Sequence, residues 1–363
     1  MTADVLIVGG GIIGQSAALA LSARGLTVTL VERGPLGGQA SSAAAGILAP
    51  EIEAVGEGPL LDLALRSRER WPAFASQIES ASGIEIDFRN GGALRVAFDE
   101  SESAELDRIE SWQRARGLSV ERLDDSGLAA LEPSLRPARS ALRYPEGRQI
   151  DPRRLMRALA VATSRAPITV MAREVIGIRH DRKRVLGVDT DSGTIFAGQV
   201  LIAAGCWSSR LEGASASRSV RPLRGQLIEL QLPQDVLQHT VFACGGYLVP
   251  RTDGRVVAGS TEEEVGFDAS TTDAAVSLLA ARAARIAPAL AIAPILRSWA
   301  GLRPTTENHF PILGAGILAG LYWATGHHRN GILLAPATTD AVVSWICEKT
   351  ATPLAWSAFS PNG

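Results

Sequence analysis

Three glycines, Gly9, Gly11 and Gly14, stand in the spacing G-x-G-x-x-G directly after a short apolar run, and Glu32 follows eighteen residues after the last of them. Glycine at the first place permits a tight turn, at the second lets backbone approach a pyrophosphate, and at the third lets a helix pack closely on a strand. The start of that helix would offer N–H groups and the positive end of its dipole to phosphates, and Glu32 would accept hydrogen bonds from a ribose. A dinucleotide is the ligand this pattern fits. Far along the chain, Arg303 in WAGLRP carries a planar guanidinium that can grip a carboxylate bidentately, as lysine cannot. Arg329 lies between Gly326 and Gly331 in GHHRNGILLAP, where it either adds positive potential beside a site or forms a surface ion pair. Tyr247 in GGYLVPR offers a hydroxyl, although a lone tyrosine in such a run more often packs against a sheet.

The segment GGQASSAAAGILAP bears on which dinucleotide. Ser41 and Ser42 offer hydroxyls where the chain can return to the pyrophosphate, and the small residues Ala43 to Gly46 would let backbone lie against a flat ring. A nicotinamide enzyme has no need of such a segment; the alternative is an alanine-rich loop.

Bulk properties narrow the class. The 363 residues hold 36 basic and 38 acidic side chains with no block of like charge, which predicts no nucleic acid partner. Cys206, Cys244 and Cys347 are odd in number and widely spaced, so neither a disulfide framework nor a metal site is expected. MTADVLIVGG lacks the charge and apolar core of a signal peptide, and apolar runs elsewhere are too short to span a bilayer, which predicts a cytoplasmic protein of one or two domains.

The elements that must position these residues follow from periodicity. DVLIV, a glycine turn, IIGQSAALALSARG and TVTLVE read as strand, helix and strand, a βαβ unit ending on Glu32. IEIDFRNGGALRVAFD, residues 84 to 99, suggests a hairpin turned at Asn90-Gly91-Gly92. A helix over residues 101 to 115 would start from a serine, and another from Asp151 as its cap. Residues 168 to 205 hold three strand-like pieces, and the wholly apolar VLIAAG predicts a central parallel strand that rejoins the first sheet. YLVPRTDGRVVAGS reads as a hairpin turned at Asp253-Gly254, before an alanine-rich helix around residues 272 to 287.

Taken together, GGGIIG, ASSAAAGILAP, VLIAAGCWS, WAGLRPTTENHFPILG and GHHRNGILLAPAT, in this order, resemble the FAD-dependent amino acid oxidases of the D-amino acid oxidase superfamily, and within it the glycine oxidase group of thiamine biosynthesis. The resemblance runs to about residue 348 and implies an α/β fold: a Rossmann-like FAD-binding domain (1–85, 146–221 and 294–363) interleaved with an α+β substrate domain on an antiparallel sheet (86–145 and 222–293). It implies FAD contacts from Gly9, Gly11, Ile12, Ile13, Gly14, Glu32 and Arg33, and from Ser41, Ser42, Ala45, Gly46 and Ile47. Further contacts would come from Val175, Ala204, Gly205 and Trp207, and around the flavin from His327, His328, Arg329, Asn330, Gly331, Ile332 and Leu333.

By the same resemblance Arg303 and Tyr247 hold the substrate carboxylate and Arg329 lies beside the pocket, while the two histidines have no catalytic part. The implied reaction passes hydride from Cα of glycine, or of a small D- or N-methyl amino acid, to the flavin. Molecular oxygen then yields hydrogen peroxide, and the imine gives a 2-oxo acid (glyoxylate) and ammonia or continues towards thiazole synthesis. Relatives with covalent flavin carry a cysteine near the arginine segment; WAGLRP has none, so FAD would be non-covalent. Gly245 replaces a bulkier residue of some relatives, and Glu262 is expected near the pocket wall, either disfavouring acidic substrates or facing solvent. Thiazole synthase is the implied protein partner, and a homo-oligomer the implied assembly. The alternatives are a D-amino acid dehydrogenase, a sarcosine oxidase-like enzyme, and a non-enzymatic flavin-binding redox sensor or partner protein.

Overall fold

Val5, Leu6, Ile7 and Val8 show no polar alternation, as a strand covered on both faces requires, and all four are buried. The structure, a computed structural model, describes residues 3–54, 56–233, 236–350 and 354–362. The strand Ala3–Val8 runs parallel between Val28–Glu32 and the second half of Gly193–Ile202. The helix Ile12–Ser22 joins the first two strands, which closes the expected βαβ unit. Eight strands form this sheet: Leu321–Thr325 and Ile312–Ala315 extend one edge, and Ile168–Ala172 the other. The two remaining strands, Val175–His180 and Val185–Thr190, form an antiparallel ribbon with the start of Gly193–Ile202. VLIAAG is the central parallel strand that its apolar composition predicts.

Three helices, Pro59–Ser82, Pro152–Arg165 and Gly331–Cys347, pack with Ile12–Ser22 into a layer whose core includes Ile13, Leu21, Trp71, Leu159, Leu334 and Val342. Asp151 caps Pro152–Arg165 as expected, accepting from the N–H groups of Arg153 and Arg154 at 2.9 and 3.2 Å.

The second sheet also has eight strands, in the order Ile295–Thr305, Arg221–Gln231, Arg255–Gly259, Gly246–Pro250, Thr240–Ala243, Ala93–Ala97, Ser140–Tyr144 and Glu121–Leu123. All pairings but one are antiparallel; Thr240–Ala243 runs parallel to Ala93–Ala97. The hairpin at Asp253-Gly254 is present, and Asp273–Ile286 is the alanine-rich helix. Across the sheet, Ile295–Thr305 pairs along its length with Arg221–Gln231. That strand lies in the segment beginning at 294, while its sheet partner lies almost wholly in the segment 222–293.

Three local expectations are corrected. No hairpin forms over 84 to 99: Asp87 takes φ 52°, which interrupts the extended run, and Ala93–Ala97 pairs with two strands distant in sequence. The helix Glu100–Ala115 is capped by Asp99, which accepts from the Glu102 N–H at 2.9 Å, and not by a serine. The first strand-like piece after residue 168 splits in two, because Ile168–Ala172 joins the parallel sheet while Val175–His180 turns into the ribbon.

Candidate active site

The glycine turn is built by steric necessity. Gly9 has φ +107°, and a Cβ there would lie 2.5 Å from the Ala203 carbonyl oxygen. A Cβ on Gly14 would lie 1.8 Å from the Gly9 carbonyl oxygen, so the helix can sit this close to the turn only with glycine at that position. Glu32 is fixed by backbone: its carboxylate accepts from the Gly10 N–H at 2.7 Å and from the Gly34 N–H at 2.9 Å, leaving lone pairs for further donors. Ser41 Oγ accepts from the Ile12 N–H at 3.0 Å, at the mouth of the first helix. Beside it the Arg33 guanidinium lies 4.4 Å over the Trp207 ring, a cation–π contact.

From this turn a cavity of about 410 Å³ runs to the second sheet. Ala43 to Gly46 form one wall and are pinned from the second sheet: Trp299 Nε1 donates to the Ala43 carbonyl at 3.0 Å and the buried Arg251 to the Ala45 carbonyl at 2.6 Å. The opposite wall is the turn between Leu321–Thr325 and Gly331–Cys347. That helix opens where Pro336 lacks an N–H. Ser67 fills the gap, donating to the Leu333 carbonyl at 2.6 Å and accepting from the Ala337 N–H at 3.2 Å, while Trp71 Nε1 also donates to Leu333 at 3.0 Å. The Leu333 carbonyl and the Ala337 N–H beside Pro336 thereby keep partners, and the helix start borders the cavity.

At the far end Arg303 lies flat on Gly225, where a Cβ would meet its guanidinium at 2.3 Å. It donates to the Thr261 carbonyl at 3.1 Å and to Ser260 Oγ at 2.7 Å, which leaves part of its fork for a ligand. Tyr247 packs its ring on Phe242 at 5.6 Å and over Gly259. Burial pushes its phenol above the ordinary tyrosine value, with Arg303 and Ser260 pulling the other way, so the hydroxyl keeps its proton at neutral pH. A guanidinium and a phenolic O–H therefore border one end of a cavity whose other end is a dinucleotide turn.

The sequence profile of the family described as "FAD dependent oxidoreductase" matches residues 4–345. The chain belongs to this family of FAD-dependent oxidoreductases. It is 36% identical to a glycine oxidase of Geobacillus kaustophilus over 98% of this chain and 96% of that protein. A glycine oxidase of Pseudomonas aeruginosa is 34% identical over 93% of each chain. A "Bifunctional protein ThiO/ThiG" of Trichormus variabilis is 34% identical over 98% of this chain, which spans 54% of that longer protein. The crystal structure of the Geobacillus kaustophilus glycine oxidase superposes with a TM-score of 0.94 over 99% of this chain and 98% of that one.

The cofactor of this oxidoreductase is FAD, and the glycine turn fits it: Gly9 and Gly14 let strand and helix close on each other, Gly11 presents bare backbone to the cavity, and the Glu32 carboxylate borders the same space. Of the expected contact residues, all but Gly14 and Ser42 border the cavity. Gly14 acts in packing. Ser42 does not border the cavity, and its hydroxyl donates to the Gly37 carbonyl at 2.7 Å within its own loop. Cys206 lines the same cavity, but burial pushes its thiol up to about 12, so it is no nucleophile there.

His327 and His328 are neutral for the same physical reason: burial lowers each imidazole to about 3. His327 Nε2 meets Thr338 Oγ1 at 3.1 Å, and the His328 ring lies 4.3 Å from that of His309. Arg329 is an ion-paired guanidinium at the cavity wall. It borders the cavity, but Glu53 and Glu262 each approach its guanidinium at 3.6 Å, so two carboxylates offset its charge. Glu262 itself faces a second, outer cavity. Gly245 lies there too, with open space where a side chain would project.

Sequence reasoning missed Ser260, Glu53, Gly225 and Gly301. Gly301 stands two residues before Arg303 and faces Ala43, where a Cβ would meet the Ala43 Cβ at 2.6 Å. Its alternation with Arg303 on one strand was a usable signal; Glu53 and Ser260 had none. Among the described residues no helix is long and apolar enough to cross a membrane, and no cluster of metal-ligating side chains is present.

Proposed function

We propose that this FAD-dependent oxidoreductase oxidises glycine and small D- or N-methyl amino acids to imines, which hydrolyse to 2-oxo acids, glyoxylate from glycine, and ammonia, or methylamine where the substrate carries an N-methyl group. The observation that carries the reading is the placement of Arg303 and Tyr247 together at the end of the dinucleotide cavity. Arg303 would hold the α-carboxylate with the donors left free by Ser260 and Thr261, and the Tyr247 hydroxyl would donate to the same carboxylate. The glycine turn, Glu32, Arg33, Ser41 and the 327–333 turn would hold FAD, which when bound would supply hydride acceptance from Cα, with molecular oxygen as the final oxidant and hydrogen peroxide as product. The chain's own part is positioning, since neutral His327 and His328 are poor proton acceptors at pH 7 and the clamp fixes Cα relative to the cavity wall.

The name of the Trichormus variabilis relative supports a role in thiamine thiazole biosynthesis, with a thiazole synthase as the partner that takes the imine. Anaerobic glycine should bleach the flavin band at roughly 450 nm, a generic property of flavins, and air should restore it with peroxide release. A flavin that stays yellow with glycine, sarcosine, D-alanine and D-proline would end this reading. Bleaching with slow recovery in air would replace oxygen by another acceptor.

A further inference from the structure

A second cavity of about 890 Å³ adjoins the first and shares Glu53, Tyr247, Ser260 and Arg329 with it, so these four residues stand at the boundary, or throat, between the two. A substituent on the amine or Cα of a substrate held at Arg303 would point through this throat. Away from this boundary, Arg95 meets Glu105 at 2.7 Å and Glu263 meets the buried Arg224 at 2.6 Å, while Glu102 accepts from the Phe98 N–H at 2.7 Å and Arg282, on the far wall of the outer cavity, donates to the Gly245 carbonyl at 3.4 Å. At the throat itself one guanidinium, Arg329, faces two carboxylates, Glu53 and Glu262, both at 3.6 Å. Neither contact is a hydrogen bond, so the three groups act through charge, with a sum of −1.

We propose that Glu262 is a specificity-determining residue that makes this throat reject a second anionic group on the substrate. The inference rests on the amino acid oxidase reading for the identity of the substrate. With the α-carboxylate neutralised by Arg303, a second carboxylate would enter a site where Arg329 is already over-compensated. Glu262 reaches Arg329 from the outer side and borders only the outer cavity, so it sets the charge there without touching the α-carboxylate site. Removing one charge near a half-solvated anion is worth about fivefold to tenfold in binding.

The test uses the holoenzyme and its Glu262→Gln and Glu264→Gln variants; Glu264 stands in the same loop but is bound to Arg221 at 2.6 Å on the surface. The ratio of kcat/KM for iminodiacetate to that for glycine should rise about fivefold to tenfold in Glu262→Gln, through KM, and stay unchanged in Glu264→Gln. High salt should shrink the difference between wild type and Glu262→Gln. Equilibrium binding of malonate against acetate, followed by the flavin spectrum, should show the same change in preference without turnover. An unchanged preference in Glu262→Gln, or an equal change in Glu264→Gln, overturns the proposal. If no amino acid is oxidised, the activity reading fails by itself, and the malonate to acetate ratio still decides the filter.

Discussion

The two ends of the cavity are made in different ways. At the dinucleotide end the contacts are backbone and shape: Gly9 and Gly14 leave no room for side chains, and Glu32 is anchored by two N–H groups. At the other end they are long charged side chains from separate strands and loops, with Arg303 on Ile295–Thr305 and Arg329 held between Glu53 and Glu262. The first design binds one ligand tightly through geometry that tolerates almost no change. The second depends on charge balance at a half-open throat, which one substitution can reset without touching the fold.

That contrast predicts effects of different kind. Gly14→Val should be the most severe, because the new side chain meets main chain that cannot yield; the protein should purify without flavin or fail to fold, as absorbance and circular dichroism will show. If Gly14→Val binds FAD normally, the rigid half of the comparison is wrong. Arg303→Ala should keep its yellow colour yet lose about a thousandfold in kcat/KM for glycine, the scale for removing one partner of a desolvated charge pair. Partial rescue by added guanidine would sharpen the assignment, and loss of flavin in this variant would undo the separation of the two ends.

Acid should act on the flavin wall. His327 is held near 3 in the fold and titrates near 6.5 when unfolded, so between these values the unfolded state binds the extra proton. Stability is therefore intact above about pH 6.5 and falls as pH drops, by up to about 1.4 kcal/mol per unit for each such histidine. Denaturant titrations from pH 7 to 4 should show this slope, and His327→Asn should flatten it by close to one proton. The smallest effect is expected at Ser67→Ala, which leaves the Ala337 N–H unpaired at the Pro336 kink while Trp71 still serves Leu333. A loss of about 1–2 kcal/mol in unfolding free energy, with FAD still bound, is the anticipated result.

What could be read from the sequence divides along the same line. The glycine spacing, the strand before it, the helix after it and the acid that ends the second strand determine the dinucleotide turn, because every part of that unit lies within about thirty residues and each residue type answers a local steric or hydrogen-bonding demand. Arg303 and Arg329 stood out through the chemistry of the guanidinium and through the family resemblance that WAGLRP and GHHRNGILLAP carry. Tertiary structure alone decided where Ala93–Ala97 pairs, which sheet receives Ile295–Thr305, and which carboxylates face Arg329. Strand pairing and charge balance are set by groups distant in sequence, and no periodicity in one segment records the partner that another segment will bring to it.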